Sequence, residues 1–477
     1  MKRLSVLLVI SLLAATIALP SPARAELRAG TSIVDITPQQ WPLAPRGSFT
    51  PRPTDSARDP LKVRCLVLDD GTDGGMRIVF AVVDSCMVHR GQLDPAKKRA
   101  SEATGIPVEQ MLMCATHTHS APFANAQHGT PQELAYQERL IDGIAQAVIE
   151  AANSLQPARV GWSGYDLPDE VFNRRWFLKP GTVPTNPFGE DTDIVKMNPP
   201  RNNDILINPA GPTDPEVSVL YVENANGRPL SVFANYSLHY VGATGGQMSA
   251  DYFGEFARLM PYRLRRAEED FVAMLSNGTS GDINNINFRD PRPPREPFEQ
   301  IRIVASKTAD AATRAIRQID SLREDPVLSM RQREITLKHR VPTKALIERA
   351  ERIMKMDNEQ AKELPRLAKA YAKRTLDLAA EPPTTDVLIQ AVRIGDLAIC
   401  TMPFEVLVDI GLELKKKSPA GDTFVVSLAN GGYGYLPPPE QHEFGGYETW
   451  LCTNKVQKDA SEILVANLLE MLGEIFP

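Results

Sequence analysis

The amino-acid sequence predicts an α/β fold of mixed β-sheets flanked by helices. Three observations carry that expectation. Short apolar runs alternate with segments of helical pattern along most of the 477 residues. Two dipeptides that favour tight reversals, Asn226-Gly227 and Gly395-Asp396, each lie between apolar runs. Polar residues with chemical capability sit just past several of those runs, where α/β folds gather their sites.

The N-terminus comes first. Lys2 and Arg3 precede an uncharged run from Leu4 to Leu19, and Ala23-Arg24-Ala25 fits a small-x-small cleavage site. Residues 1–25 therefore read as a secretory signal peptide. The run is shorter than the roughly 20 residues a membrane-spanning helix needs, and no later segment is apolar enough to cross a bilayer. The expected location is secreted or periplasmic. Losing Lys2, Arg3 and Arg24 takes the formal charge from −6 to −9, a balance that gives no support for a nucleic-acid partner, which would want a basic face, and none is expected. Export permits disulfides, but four of the five cysteines (Cys65, Cys86, Cys114, Cys400, Cys452) lie in apolar runs and no CxxC pair occurs. They read as small buried hydrophobes, with room for one unassigned disulfide.

Met76–Val83 and Met111–Ala115 read as buried strands, and Pro95–Ala103 between them as a helix stopped by Gly105. A helix from Thr130 to about Leu155 is announced by its start: Thr130 as N-cap, Pro131 in the first turn, Glu133 completing a capping box. Val217–Glu223 and Leu230–Tyr236 form a predicted hairpin, Phe271–Leu275 a strand and Phe298–Ile316 a helix. Val387–Ile394 and Leu397–Thr401 form a second hairpin. Phe404–Lys417 reads as a helix, Thr423–Leu428 as a strand and Lys458–Leu472 as a closing helix. Residues 164–215 are rich in Pro, Asn, Asp and Gly, lack periodicity, and read as a long functional loop. Residues 343–381, charged and interrupted by Pro365, read as an exposed helical hairpin with a solvated face.

The chemistry-bearing residues lie at strand ends. His117 and His119 follow Met111–Ala115, and two-residue spacing in an extended chain puts both imidazoles on one face. That suits two metal ligands, or one ligand beside a residue that contacts substrate. His239 follows the strand ending at Tyr236. Glu405 lies between a strand end and a helix start, as a ligand or as a carboxylate favoured by the helix dipole. Ser276–Asn285 offers an oxyanion-type pocket or a turn. Tyr433 and Tyr435 follow the strand Thr423–Leu428.

Taken together, these segments resemble the neutral/alkaline, non-lysosomal ceramidase family. Gly30–Pro38 is similar to its opening strand, Ala115–Pro122 to its THTHSGP, Asn173-Arg174 to its asparagine-arginine pair and Asn235–His239 to its second histidine segment. Ser249–Tyr252 falls on its Ser-Ala-Asp stretch, Pro403–Glu405 on its PGEF, and Asn430–Glu448 on its terminal motif. The resemblance implies a catalytic domain over residues 26–477, with the helical hairpin at about 343–381 as an insertion and no C-terminal immunoglobulin-like domain. It implies one Zn2+ held by His117, His239, Glu405 and Tyr435, with His119, Arg174 and Tyr435 acting on the substrate. Asp282 and Asn284 match a substrate-binding segment, although Asn284 stands where the family has a serine. The activity implied is hydrolysis of an N-acyl amide of a small-molecule or lipid substrate, with peripheral membrane contact open. Alternatives are the same zinc scaffold cleaving another amide, an ester or a glycoside, or a non-catalytic binding protein.

Overall fold

The computed structural model describes residues 26–47, 52–123, 129–265, 270–357 and 359–476. The segment read as a signal peptide and one of the seven histidines, His128, lie outside them.

Two β-sheets share one core. The larger has eight strands, running across the sheet as Val272–Asn277, Pro229–Tyr236, Glu216–Asn224, Gln156–Asp166, Arg28–Asp35, Lys62–Asp69, Arg77–Val83 and Met111–Ala115. The smaller has four: Leu328–Lys338, Thr384–Ile394, Leu397–Met402 and Asp422–Ser427. Most neighbours are antiparallel. The last two strands at each end of the large sheet are parallel, as are Leu397–Met402 and Asp422–Ser427. The right-handed twist of so wide a sheet rolls its two halves toward each other. Phe80 and Phe233, from opposite halves, have ring centroids 5.2 Å apart, and Phe233 meets Phe424 of the small sheet at 5.8 Å.

Helices cover the outer faces. Arg90–Thr104 and Pro131–Asn153 bury apolar stripes over one half of the large sheet. Asp251–Leu264 and Glu299–Arg317 cover the other half. Val408–Lys417 and Ala460–Ile475 cover the small sheet. Thr130 caps its helix as expected: its side chain accepts from the Glu133 amide at 3.3 Å, and Glu133 accepts from the Thr130 amide at 2.8 Å. Among the described residues no helix is long and apolar enough to cross a membrane. All five cysteines are buried and free.

Three expectations need correction. The helix expected over Phe404–Lys417 begins only at Val408, because Glu405-Val406 pairs in parallel with Tyr435-Leu436. Local periodicity cannot show a ladder whose partner lies thirty residues away. The aperiodic 164–215 stretch contains the end of one long strand and the short strands Phe172–Asn173, Arg175–Leu178, Val195–Met197 and Leu206–Pro209. The hairpin, Lys344–Lys355 and Ala368–Ala379, is not solvated throughout. Tyr371 is buried between Phe188 and Trp450, and its hydroxyl hydrogen-bonds Thr453.

Candidate metal centre

His117 and His239 stand beyond the C-terminal ends of Met111–Ala115 and Pro229–Tyr236, at opposite ends of the large sheet. Rolling of the sheet is what brings them together. Glu405 and Tyr435 face each other as register partners in their two-residue ladder. The His117 backbone is left-handed, at φ 74°, a strained conformation for a side-chain-bearing residue that costs of order 1–3 kcal/mol. It is fixed by the His117 amide donating to Ser85 O at 2.9 Å and Thr118 Oγ1 donating to Ser249 O at 2.7 Å. Asp59 in turn accepts from Ser249 Oγ and the Ala250 amide, each at 2.7 Å.

The tautomers follow from the carbonyls around them. His117 Nδ1 lies 2.8 Å from Cys86 O and His239 Nδ1 3.0 Å from Ser280 O. A carbonyl only accepts, so both Nδ1 atoms carry a proton, and in the neutral rings both Nε2 atoms present lone pairs. Those two Nε2 atoms face each other at 3.0 Å. Glu405 Oε2 lies 3.2 Å from His117 Nε2 and 3.8 Å from His239 Nε2, buried and without a hydrogen-bond partner. Three electron-rich atoms converging on one buried point attract a cation. A tetrahedral zinc with bonds of about 2.0–2.1 Å spaces its ligand atoms by roughly 3.3 Å, so the spacing fits.

With no cation at that point a proton takes its place: burial opposes a charge on His117, but the Glu405 carboxylate and Cys86 draw it up to about 10, so a bound metal would displace the proton from Nε2. The same pairing holds the Glu405 carboxyl below its ordinary value despite burial. Burial and the neighbouring positive charges push His239 and His119 well below the ordinary histidine value, keeping both neutral. A rival donor set of Cys86, His117 and His119 also lies close together. Cys86 Sγ, however, is 3.7 Å from His117 Nδ1, the nitrogen already committed to Cys86 O.

The Tyr435 hydroxyl hydrogen-bonds Glu405 and accepts from Arg174 Nη2 at 3.0 Å. Burial and Glu405 push this phenol well above its ordinary value, and Arg174 opposes them. Arg174 also donates to Gly281 O at 2.7 Å and to Glu448 Oε1 at 3.1 Å. Arg175 donates to the other Glu448 oxygen at 2.7 Å. His119 Nε2 is 3.3 Å from His117 Nε2, and its ring stacks on Tyr240 with centroids 3.7 Å apart. Gly47 crosses beside it with φ 107°; a Cβ there would come within 2.3 Å of His119 Nδ1.

A cavity of about 710 Å³ opens on this group, and His117, His119, Glu405 and Tyr435 all line it. The structure thus brings together six of the eight predicted site residues, His117, His119, Arg174, His239, Glu405 and Tyr435, and leaves two outside. Asp282 is fully buried; its carboxylate accepts from the Val408 amide at 2.9 Å and Asn173 Nδ2 at 2.8 Å. Asn284 donates to Asn198 Oδ1 at 2.8 Å and accepts from the Ile286 amide at 2.9 Å. Neither lines the cavity. Sequence reasoning missed Tyr240, although it directly follows His239. It also missed Arg46 and the hairpin's Arg374, which line the cavity from segments with no distinguishing pattern.

A mixed α/β scaffold with a donor cluster at its strand ends and a cavity above it defines a candidate metal-binding site of a kind that α/β folds place there. The model of the neutral/alkaline non-lysosomal ceramidase N-terminal region matches residues 29–292, more than half of the sequence, and the chain belongs to that family. Neutral ceramidase B of Dictyostelium discoideum is 24% identical over 245 residues, 48% of this chain and 31% of that protein. Neutral ceramidase A of the same organism is 25% identical over 220 residues, 44% and 28% respectively. The matched regions span about a third of these curated relatives. The crystal structure of neutral ceramidase from Pseudomonas aeruginosa superposes with a TM-score of 0.71 at 18% identity, covering 94% of this chain and 74% of that one. A ceramidase complexed with C2 gives 0.70 at 17%, covering 94% and 75%. These likenesses establish the fold.

Proposed function

We propose that the chain is an exported, zinc-dependent hydrolase of an N-acyl amide, with ceramide as the reference substrate. One observation carries this reading: two bare Nε2 atoms and an unpartnered Glu405 oxygen converge on a single buried point. His117, His239, Glu405 and Tyr435 would hold the ion. When bound, zinc supplies an acidified water and a Lewis acid for the amide carbonyl.

The chain's own groups do the rest. Neutral His119, facing the cavity, accepts a proton at Nε2 and returns it to the departing amine. Tyr240 holds that ring by stacking. Arg174 fixes the Tyr435 hydroxyl against Glu405. Glu448 neutralises the buried guanidiniums behind them.

The test has two arms. Metal analysis of the purified chain should find one zinc, and short-chain N-acyl sphingosine should release its fatty acid. Zinc without amidase activity keeps the site and removes the amide as substrate. A second reading, the same scaffold cleaving an ester or glycoside, is favoured by Asn284 standing at the family's serine position; a substrate panel separates the two.

A further inference from the structure

Tyr435 sits in a strand of only two residues, Tyr435-Leu436, too short to hold its own position. The ladder to Glu405-Val406 draws on Gly434 O and Leu436 O, which accept from the Glu405 and Leu407 amides at 2.9 and 3.2 Å. The Tyr435 backbone itself is held from elsewhere. Its amide donates to Thr453 O at 3.0 Å, and its carbonyl accepts from Asn454 Nδ2 at 3.1 Å. Thr453 and Asn454 are buried, and each is gripped by the helical hairpin or by its root. The hairpin's Tyr371 hydroxyl hydrogen-bonds Thr453 Oγ1. Arg340, just before the hairpin, donates to Asn454 Oδ1 at 3.0 Å and to Thr449 O at 2.7 Å. A guanidinium only donates, so Asn454 must turn its oxygen to Arg340 and its NH2 to Tyr435 O. Gly434 shows how close the clasp is: at φ 89°, a Cβ there would come within 2.5 Å of Thr453 O. Rings follow the same route. Tyr371, Trp450, Tyr447 and Tyr435 meet edge to face in succession, with centroids 5.5, 5.9 and 5.5 Å apart.

We infer that Tyr371 and Arg340 are positioning residues of the metal centre, acting through Thr453 and Asn454 to hold the Tyr435 phenol at the ion. The inference rests on the zinc reading above and deepens it. The hairpin then serves the site twice, since its Arg374 and Asp377 also line the cavity. Groups that orient a ligand without touching the metal tune how tightly it is held.

The experiment measures zinc affinity of the full chain by competition with a chromophoric chelator. Tyr371→Phe and Thr453→Val each remove one end of a single hydrogen bond. Each should raise the zinc Kd about tenfold, and the double variant should lose no more than either alone. Arg340→Met should weaken zinc similarly, and Arg340→Lys should restore part of the loss. Leu468→Ala is the control: Leu468 is buried under the small sheet, away from the site. It should lower the unfolding midpoint and leave zinc affinity unchanged. Zinc affinity that holds in Tyr371→Phe and Thr453→Val, losses that add in the double variant, or an equal loss in Leu468→Ala overturns the inference and leaves the zinc reading standing. If the unaltered chain takes up no zinc, the zinc reading falls, and hydrogen exchange of residues 431–437 decides the inference instead. Faster exchange there in Tyr371→Phe, but not in Leu468→Ala, supports the clasp on Tyr435; unchanged protection overturns it.

Discussion

At the scale of single residues, two carboxylates have opposite jobs. Glu405 points an unsatisfied oxygen at a cation position, whereas Glu448 is saturated by two guanidiniums. Their substitutions should therefore fail differently. Glu405→Ala removes a donor, so bound zinc should fall well below one per chain and hydrolysis by about a hundredfold or more, while circular dichroism stays native. A variant that keeps its zinc would show that Glu405 is not a ligand. Glu448→Gln leaves Arg174 and Arg175 buried against a neutral amide, a loss of roughly 3–5 kcal/mol. Denaturant unfolding should show it, and a stability unchanged within error would mean the pair is compensated elsewhere.

At the scale of elements, legibility followed the range of the interactions. The helix Pro131–Asn153 was readable because its start signal is local: Thr130 and Glu133 satisfy each other's backbone amides within one turn. Both hairpins were readable for the same reason, since their reversals sit between the strands they join. The ladder joining Glu405 to Tyr435 was not, because neither two-residue strand has a period to detect. The burial of Tyr371 was hidden as well, since the apolar partners of that hairpin come from Phe188 and Trp450. The candidate donors were legible by type and by position past strand ends. Their convergence was not, because it depends on how far the large sheet rolls. Thr130→Ala should cost about 1 kcal/mol by loss of the cap and lower the unfolding midpoint slightly, with zinc retained. An unmoved midpoint would show that the cap adds nothing to what packing on the sheet already supplies.

At the scale of the whole molecule, two sheets and their helices serve to bring strand ends from distant parts of the chain to one buried point. Two donor sets compete for a metal there, one of nitrogen and oxygen atoms and one that includes the Cys86 thiol. All five cysteines are free, so a thiol ligand is chemically available. The protonated Nδ1 of His117 rules in favour of the first set. X-ray absorption at the zinc edge on the purified full chain decides between them. The predicted spectrum has one zinc per chain, imidazole scattering at about 2.0–2.1 Å and light-atom ligands only. Sulfur scattering near 2.3 Å, or a chain that takes up no stoichiometric zinc, would contradict a centre built on His117, His239, Glu405 and Tyr435.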